Sequence, residues 1–415
     1  MRQIQKYWRE FINILEVCIL VGQCQGKLNR SIKMPSPASD SYRMLTVTST
    51  SMLHFLAICR VLSLIKFKRI LDYFINKMNT KLVLGLMLVA TIITVPFFMR
   101  PRHNTVNTDV KVFTTFEEWK SQQNKIYASP AEQMYRMQNF NRNLMMINQV
   151  NNDKSLTYEL GLNQFSDLTE EEFIAKYTGF QGVDQTADFV VPHVNKGVVN
   201  DNVDWRIVNA VLPVKNQQSC GSCWAFSAIG ALESAWKLAG NQLTSFSEQQ
   251  LVDCSQAYGN NGCNGGLMNN AFKYLLARGG IETEQAYPYT ARDDNCKEDA
   301  TKFVGKIRTY SSINEQDCDG LLHAITNQPV SIGIAANAIM NYKSGIFNNQ
   351  RCGHSLNHGV VAIGYGEDQS QEYWLIRNSW GSGWGEEGYI RFARDDNKQE
   401  HGMCGICDAA SYPVA

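Results

Sequence analysis

Gln217-Gln218-Ser219-Cys220-Gly221-Ser222-Cys223-Trp224-Ala225-Phe226-Ser227 sets two cysteines three positions apart, at the head of an apolar run through Ala228, Ile229, Ala231, Leu232 and Trp236. The run predicts a helix that begins near Cys223. A cysteine in the first turn of a helix faces the positive end of the dipole and unpaired backbone N–H groups, which favour thiolate over thiol. The thiolate is the nucleophilic form. Cysteines at this spacing also serve metal and redox sites. A zinc site wants a second ligand pair at matching spacing, and a redox motif wants a preceding βαβ pattern. Neither is legible around this segment, and the stretch from Trp205 to Lys215 supplies no such pattern.

Two downstream segments give the cysteine its company. Leu356-Asn357-His358-Gly359-Val360-Val361-Ala362-Ile363-Gly364-Tyr365-Gly366 puts a histidine at the head of a β-rich apolar run, 135 positions after Cys223. Tyr373-Trp374-Leu375-Ile376-Arg377-Asn378-Ser379-Trp380-Gly381-Ser382-Gly383-Trp384-Gly385 follows, with Asn378 155 positions after Cys223. A cysteine nucleophile needs a base that pairs with its thiolate and a group that orients that base. Together the three segments resemble the papain family of cysteine proteases, most closely the cathepsin L type.

The resemblance implies an α+β, papain-like two-domain fold, with Cys223 in a helical half and His358 and Asn378 in a β-barrel-like half. It implies Cys223 as nucleophile and His358 as the imidazole, oriented by the Asn378 carbonyl under the shield of Trp380. Gln217, with the Cys223 N–H, matches the oxyanion hole. The family usually has Gly after that glutamine; Gln218 stands there instead and would strain the loop if its φ is positive. The family pattern pairs Cys220 with Cys263, Cys254 with Cys296 and Cys352 with Cys404. Cys318 and Cys407 are left as a fourth bridge or two free thiols. Gly265 and Gly266 match a substrate-binding ledge, and Leu267, Met268, Gly333, Leu356 and Ala409 match the pocket for the second residue before the scissile bond. That pocket would be apolar and roomy, with no acid at Ala409, although Asp408 is adjacent. The short Cys254-to-Cys263 loop blocks neither end of a cleft, which favours endopeptidase action. No metal or cofactor is implied. A catalytically silent binding module would replace the nucleophile, and a transpeptidase or ligase on the same site would differ only in its products.

Upstream, Glu132, Arg136, Phe140, Asn143, Ile147 and Asn151 are spaced 4, 4, 3, 4 and 4, which holds one helix face over five turns. An ordinary stripe is apolar; this one alternates charge and amide with Phe and Ile, and Glu132–Arg136 is an i,i+4 ion pair. It resembles the ERFNIN signature of cathepsin L-type propeptides, with Asn139 where Val or Ile is usual. Gly161-Leu162-Asn163-Gln164-Phe165-Ser166-Asp167 resembles the same family's Gly-x-Asn-x-Phe-x-Asp motif. A polar linker over 181–200 should be exposed and cuttable. Asp204-Trp205 resembles the mature N-terminus, so the mature enzyme should begin near Val199. These readings divide the chain into an N-terminal extension (1–77), a signal peptide or signal anchor plus linker (78–112), an inhibitory propeptide (113–198) and a peptidase domain (199–415). Acid should loosen the propeptide by protonating carboxylates such as Asp167.

Composition agrees with that division. The 415 residues carry no net charge and no basic stripe, so nucleic acid is not a suggested partner. Of twelve cysteines, none lies between 60 and 219 and nine follow, which reads as one disulfide-bearing domain of the secretory pathway. The apolar run 82–98 after Met78-Asn79-Thr80-Lys81 reads as a cleaved signal peptide if Met78 is the start, or as an anchor if Met1 is. The expected partners are protein and peptide substrates and the chain's own propeptide, with membrane contact only through 82–98 if uncleaved. The expected state is a monomer, in a lysosome, another acidic vacuole or outside the cell.

Overall fold

The structure, a computed structural model, describes residues 115–182, 199–394 and 400–415 and the backbone of 191–192, all within the unit Arg102–Ala415. The extension 1–77, the run 82–98 and most of the 181–200 linker lie outside the described residues. A short helix over 115–122 precedes α1 (Pro130–Asn151), which Ser129 caps by accepting from the Glu132 N–H, with Pro130 in its first turn. Phe140 packs with Phe116 and Trp119 in a small aromatic core. The polar members of the stripe fasten the backbone that follows α1. Asn143 Nδ2 donates to the carbonyls of Ser166 and Leu168 at 2.8 and 2.9 Å. Asn151 pairs with both the N–H and the C=O of Leu160, each at 2.9 Å. Arg136 lies 3.9 Å from Glu132 and donates at 2.8 Å to Glu172. Asn139 is also buried, and its Oδ1 finds no partner among the described residues, an unfavourable departure from the apolar residue usual there. β1 (Tyr158–Leu160) and α2 (Glu170–Tyr177) complete the pro-segment, and Thr169 with Glu172 closes a reciprocal capping box on α2.

The apolar run after Cys223 forms α3 (Cys223–Leu238), buried without interruption from Cys223 to Ala235. A helix apolar on all sides belongs in a core. Here α4 (Glu248–Cys254) and α5 (Met268–Arg278) surround it, through Leu251, Phe272 and Leu275. The second half is a sheet of β4 (Thr309–Ile313), β5 (Val330–Ile334), β6 (Tyr342–Phe347), β7 (His358–Asp368), β8 (Gln371–Arg377), β9 (Tyr389–Ala393) and β10 (Ala410–Val414), backed by α6 (Cys318–Asn327). Strand order is β1-β6-β9-β8-β7-β5-β10-β4-β2, with β2 (Val191–Pro192) at one edge and β3 (Val203–Asp204) on β7. Pro-segment strand β1 thus closes the β6 edge, antiparallel, with Tyr158 opposite Gly345. Gly345 is required there: its φ is +89°, and a Cβ would lie 2.4 Å from the Thr157 carbonyl oxygen.

Four disulfides join Cys220 to Cys263, Cys254 to Cys296, Cys352 to Cys404 and Cys318 to Cys407. The last resolves the pair left open by sequence as a bridge. Cys223 is the one free cysteine among the described residues.

Beneath α3, Lys215 Nζ lies 2.7 Å from a carboxylate oxygen of both Glu233 and Glu248, and Arg377 also faces Glu233 at 3.7 Å. Burial pushes Glu248 up to about 8 against the pull of Lys215. Burial also opposes the charge on Lys215, but the two carboxylates outweigh it and raise the lysine above its ordinary value. Because the folded pKa of Glu248 exceeds the unfolded 4.5, its contribution is complete below about pH 4.5 and is lost as pH rises toward about 8. Glu248→Gln, permanently neutral, should remove that loss, narrowing the fall in melting temperature across this window by roughly 5 °C. Parallel wild-type and variant melting profiles against pH would refute it.

Candidate active site

Cys223 is the first residue of α3 and His358 the first of β7, and both are fully buried. The two element ends meet at Gly359, where an added Cβ would lie 3.2 Å from both the Cys223 carbonyl oxygen and the Trp224 Cα. His358 Nε2 lies 2.8 Å from Asn378 Oδ1, which also accepts from the Ser379 N–H at 2.7 Å. Because Oδ1 can only accept, Nε2 carries the proton and Nδ1 keeps its lone pair. Nδ1 is buried without a hydrogen-bond partner among the described residues. Trp380 stacks on the imidazole at 4.5 Å, covering the His–Asn bond.

Burial pushes the Cys223 thiol up to about 12, although N–H groups of Gly359, Trp224, Cys223 and Gly179 pull the other way. Burial likewise pushes His358 down to about 4, with the Asn378 bond opposing it. Burial in this covered state favours the neutral form of each group and opposes the thiolate that the helix dipole favours.

That cover is the pro-segment. The Tyr177 carbonyl accepts from Gln217 Nε2 at 3.2 Å and from Trp380 Nε1 at 3.0 Å. The N–H groups of Gly179 and Phe180 both donate to the Asn357 carbonyl at 2.9 Å. Gly266 donates to the Gly179 carbonyl at 2.9 Å and accepts from the Gln181 N–H at 3.2 Å, a parallel bridge. Gly265 is as close: a Cβ there would lie 2.6 Å from the Gly179 oxygen. Phe180 joins the buried apolar cluster that includes Met268, against which Leu267, Leu356 and Ala409 pack. Gly333 makes room for it, since a Cβ there would lie 2.8 Å from the ring. Beside the ring is a cavity of about 130 Å³ that Asp408 and Glu315 also line. Asp408 is engaged by His401 Nδ1 at 2.8 Å. Phe165 and Phe173 meet Trp380 edge-on at 5.6 and 5.0 Å, continuing the core of the β-rich half into the pro-segment. At about 2–3 kcal/mol per buried phenylalanine, these contacts outweigh any single surface ion pair in holding the cover.

Gln218 has φ +54°, as the missing glycine foretold, an unfavourable conformation by about 1 kcal/mol. The loop nonetheless keeps Gln217 in register, because Ser379 Oγ donates to its Oε1 at 2.6 Å. Of the residues expected from sequence, His358 is bonded to Asn378 and stacked on Trp380, Cys223 meets His358 at Gly359, and Gln217 is bonded to Ser379 beside them. Sequence reading missed Ser379, Tyr177 and Phe180. Ser379 sits inside the quoted Asn-Ser-Trp-Gly run, but nothing in the run reveals a partner 162 positions away. A candidate metal cluster among the described residues, Cys254, Cys296 and Glu298, uses sulfurs already joined to each other, so it offers no thiolate.

The sequence model described as papain family cysteine protease matches residues 199–414. The chain belongs to the papain family of cysteine proteases. The cathepsin propeptide inhibitor domain matches residues 116–173, so this papain-family enzyme is made as a zymogen with an inhibitory propeptide. Probable cysteine protease RD21C of Arabidopsis thaliana is 43% identical over 318 residues, 75% of this chain and 70% of that protein. Among solved structures, the recombinant stem bromelain precursor superposes with a TM-score of 0.67 at 38% identity, covering 73% of this chain and 99% of that one. The digestive procathepsin L 3 of Tenebrio molitor larval midgut does so with a TM-score of 0.67 at 40% identity, over 73% and 99%. The α+β papain-like fold is thereby that of known proforms, and the protease zymogen is held shut by its own chain.

Proposed function

We propose that this zymogen is an endopeptidase precursor in which Cys223, His358, Asn378 and Gln217 perform the chemistry. Cys223 Sγ attacks the scissile carbonyl carbon, and the oxyanion is received by Gln217 Nε2 and the Cys223 N–H. His358 passes a proton to the departing amine, leaving a thioester. Water deprotonated by His358 then releases the acid product and restores the thiol. Asn378 keeps the imidazole in the tautomer and orientation both steps need, and Trp380 keeps water from their bond. Gly265 and Gly266 pair with the substrate backbone, while Leu267, Met268, Gly333, Leu356 and Ala409 receive an apolar or aromatic side chain at the second position before the cut. The observation that carries this reading is the pro-segment itself, whose Tyr177 carbonyl lies on Gln217 while Phe180 packs in the apolar cluster with Met268.

Residues 113–198 are then the inhibitory propeptide and 199–415 the peptidase, acting as a monomer on protein substrates. The enzyme works in an acidic lumen or after secretion, delivered by the 82–98 segment. Asp167 braces the pro-segment, accepting from Lys125 at 3.1 Å and Tyr127 at 3.0 Å. The test is a precursor spanning 113–415, acidified with a thiol reductant and offered fluorogenic peptides with Phe or Arg at the second position. Thiol-dependent turnover that favours Phe by about tenfold or more is expected. No turnover after demonstrated loss of the pro-segment would end the catalytic reading, and a preference for Arg would end the pocket assignment.

A further inference from the structure

Gln217 is restrained at each of its polar atoms. Its N–H donates to the Ser379 carbonyl at 2.8 Å, its Oε1 accepts from Ser379 Oγ, and its Nε2 donates to the carbonyls of Cys220 and Tyr177. Its own carbonyl accepts from the Tyr289 hydroxyl at 2.8 Å. Tyr289 lies in the segment after α5, 72 positions from Gln217 in sequence. Ser222 Oγ lies 2.7 Å from the same hydroxyl. A phenol has one proton, and Tyr289 spends it on Gln217, so Ser222 is the donor to Tyr289. This explains why Ser222, at the cap position of α3, makes no side-chain cap bond. The α3 N-terminus is left with its first N–H groups aimed at the Cys223 sulfur. The Tyr289 ring is fixed edge-on against Phe226 at 4.9 Å, and its N–H is held by Glu284 at 2.9 Å.

We propose that Tyr289 is a positioning residue for oxyanion stabilisation, its hydroxyl locking the Gln217 carbonyl so that the loop carrying the strained Gln218 cannot relax away from the cleft. The inference rests on reading Gln217 as the oxyanion donor. The carbonyl of Gln217 is bonded to the nitrogen of Gln218, so any rotation that relieves Gln218's positive φ must swing the peptide that Tyr289 holds. Ser222 ties the same hydroxyl to the residue before the nucleophile. The donor and the thiol are thereby referenced to one ring, and a small displacement of either would be felt as a loss of rate.

The test uses acid-processed enzyme carrying Gln217→Ala, Tyr289→Phe, or both. Readouts are kcat and KM on a fluorogenic peptide and the rate of Cys223 alkylation by iodoacetamide, a reaction that builds no oxyanion. Gln217→Ala should lower kcat about 10²-fold, and Tyr289→Phe about tenfold with KM little changed. Alkylation should stay at the wild-type rate in Tyr289→Phe, and the double variant should be no slower than Gln217→Ala alone. If Tyr289→Phe fails to fold, Ser222→Ala, which removes the donor to the same phenol, should lower kcat about threefold with alkylation unchanged. Kcat and alkylation falling together would mean a general structural role, and multiplicative losses in the double variant would mean independent action; either overturns the proposal. A full-rate Tyr289→Phe beside a slow Gln217→Ala sinks the clamp alone, whereas a full-rate Gln217→Ala sinks the oxyanion reading beneath it.

Discussion

Cys223→Ala should fold, retain its four disulfides and lose peptide hydrolysis altogether, a fall in kcat on the order of 10⁶ once the pro-segment is gone. The reasoning is one of supply. Catalysis by nucleophilic sulfur needs a free thiol, and among the described residues every other cysteine is bridged. Replacing the sulfur by hydrogen leaves α3's apolar packing largely in place, so the melting temperature should shift by only a few degrees. The variant should also fail to shed its own pro-segment in acid, yet be trimmed when a small amount of wild-type enzyme is added. Fluorogenic turnover, melting and gel mobility together test this. Residual hydrolysis within a hundredfold of wild type would mean that bond cleavage does not run through this cysteine.

Removing the pro-segment should raise the alkylation rate of Cys223 at neutral pH by 10³-fold or more, the second large effect. In the zymogen, burial pushes the thiol up to about 12 and the imidazole down to about 4, both against the thiolate–imidazolium pair. Uncovering both restores water and leaves the opposing N–H groups of α3 and Gly359 unmasked, which favours the thiolate–imidazolium pair. The gain in thiolate is partly offset because a more acidic thiol is intrinsically less nucleophilic, so the rate rises less than the ionised fraction does. Iodoacetamide kinetics on precursor and processed enzyme from pH 5 to about 9 would measure it. Equal rates would show that the cover leaves the thiol's ionisation untouched.

The division between what was legible in the sequence and what was not follows chemical range. Cys223 and His358 each sit in a run whose local pattern signals an element start, a helix head and a strand head, and element ends are where backbone groups stay unpaired. The strain at Gln218 was legible because only a residue without a Cβ adopts positive φ freely. The stripe on α1 was legible as a period, but not what its asparagines were for; their partners are carbonyls of loops 9 to 25 residues away. Sequence spacing left Cys318 and Cys407 open because a separation of 89 in sequence says nothing about distance until the fold brings the α6 start beside the 400–407 turn. Phe180 carried no motif at all. Its meaning depends on a glycine 153 positions downstream, whose lack of a side chain is what admits the ring.

The pairing of β1 with β6 has a consequence for the life of the enzyme after activation. When the pro-segment leaves, β6 becomes the last strand of its sheet, with a row of donors and acceptors suddenly unanswered. Bare strands of this kind recruit other chains and seed aggregates. One residue already in place resists that outcome: Lys343, 61% exposed and salt-bridged to Glu159 in the zymogen, is left as an outward charge on the rim. Maturation therefore exchanges a sheathed margin for one guarded by a lysine that the zymogen keeps occupied.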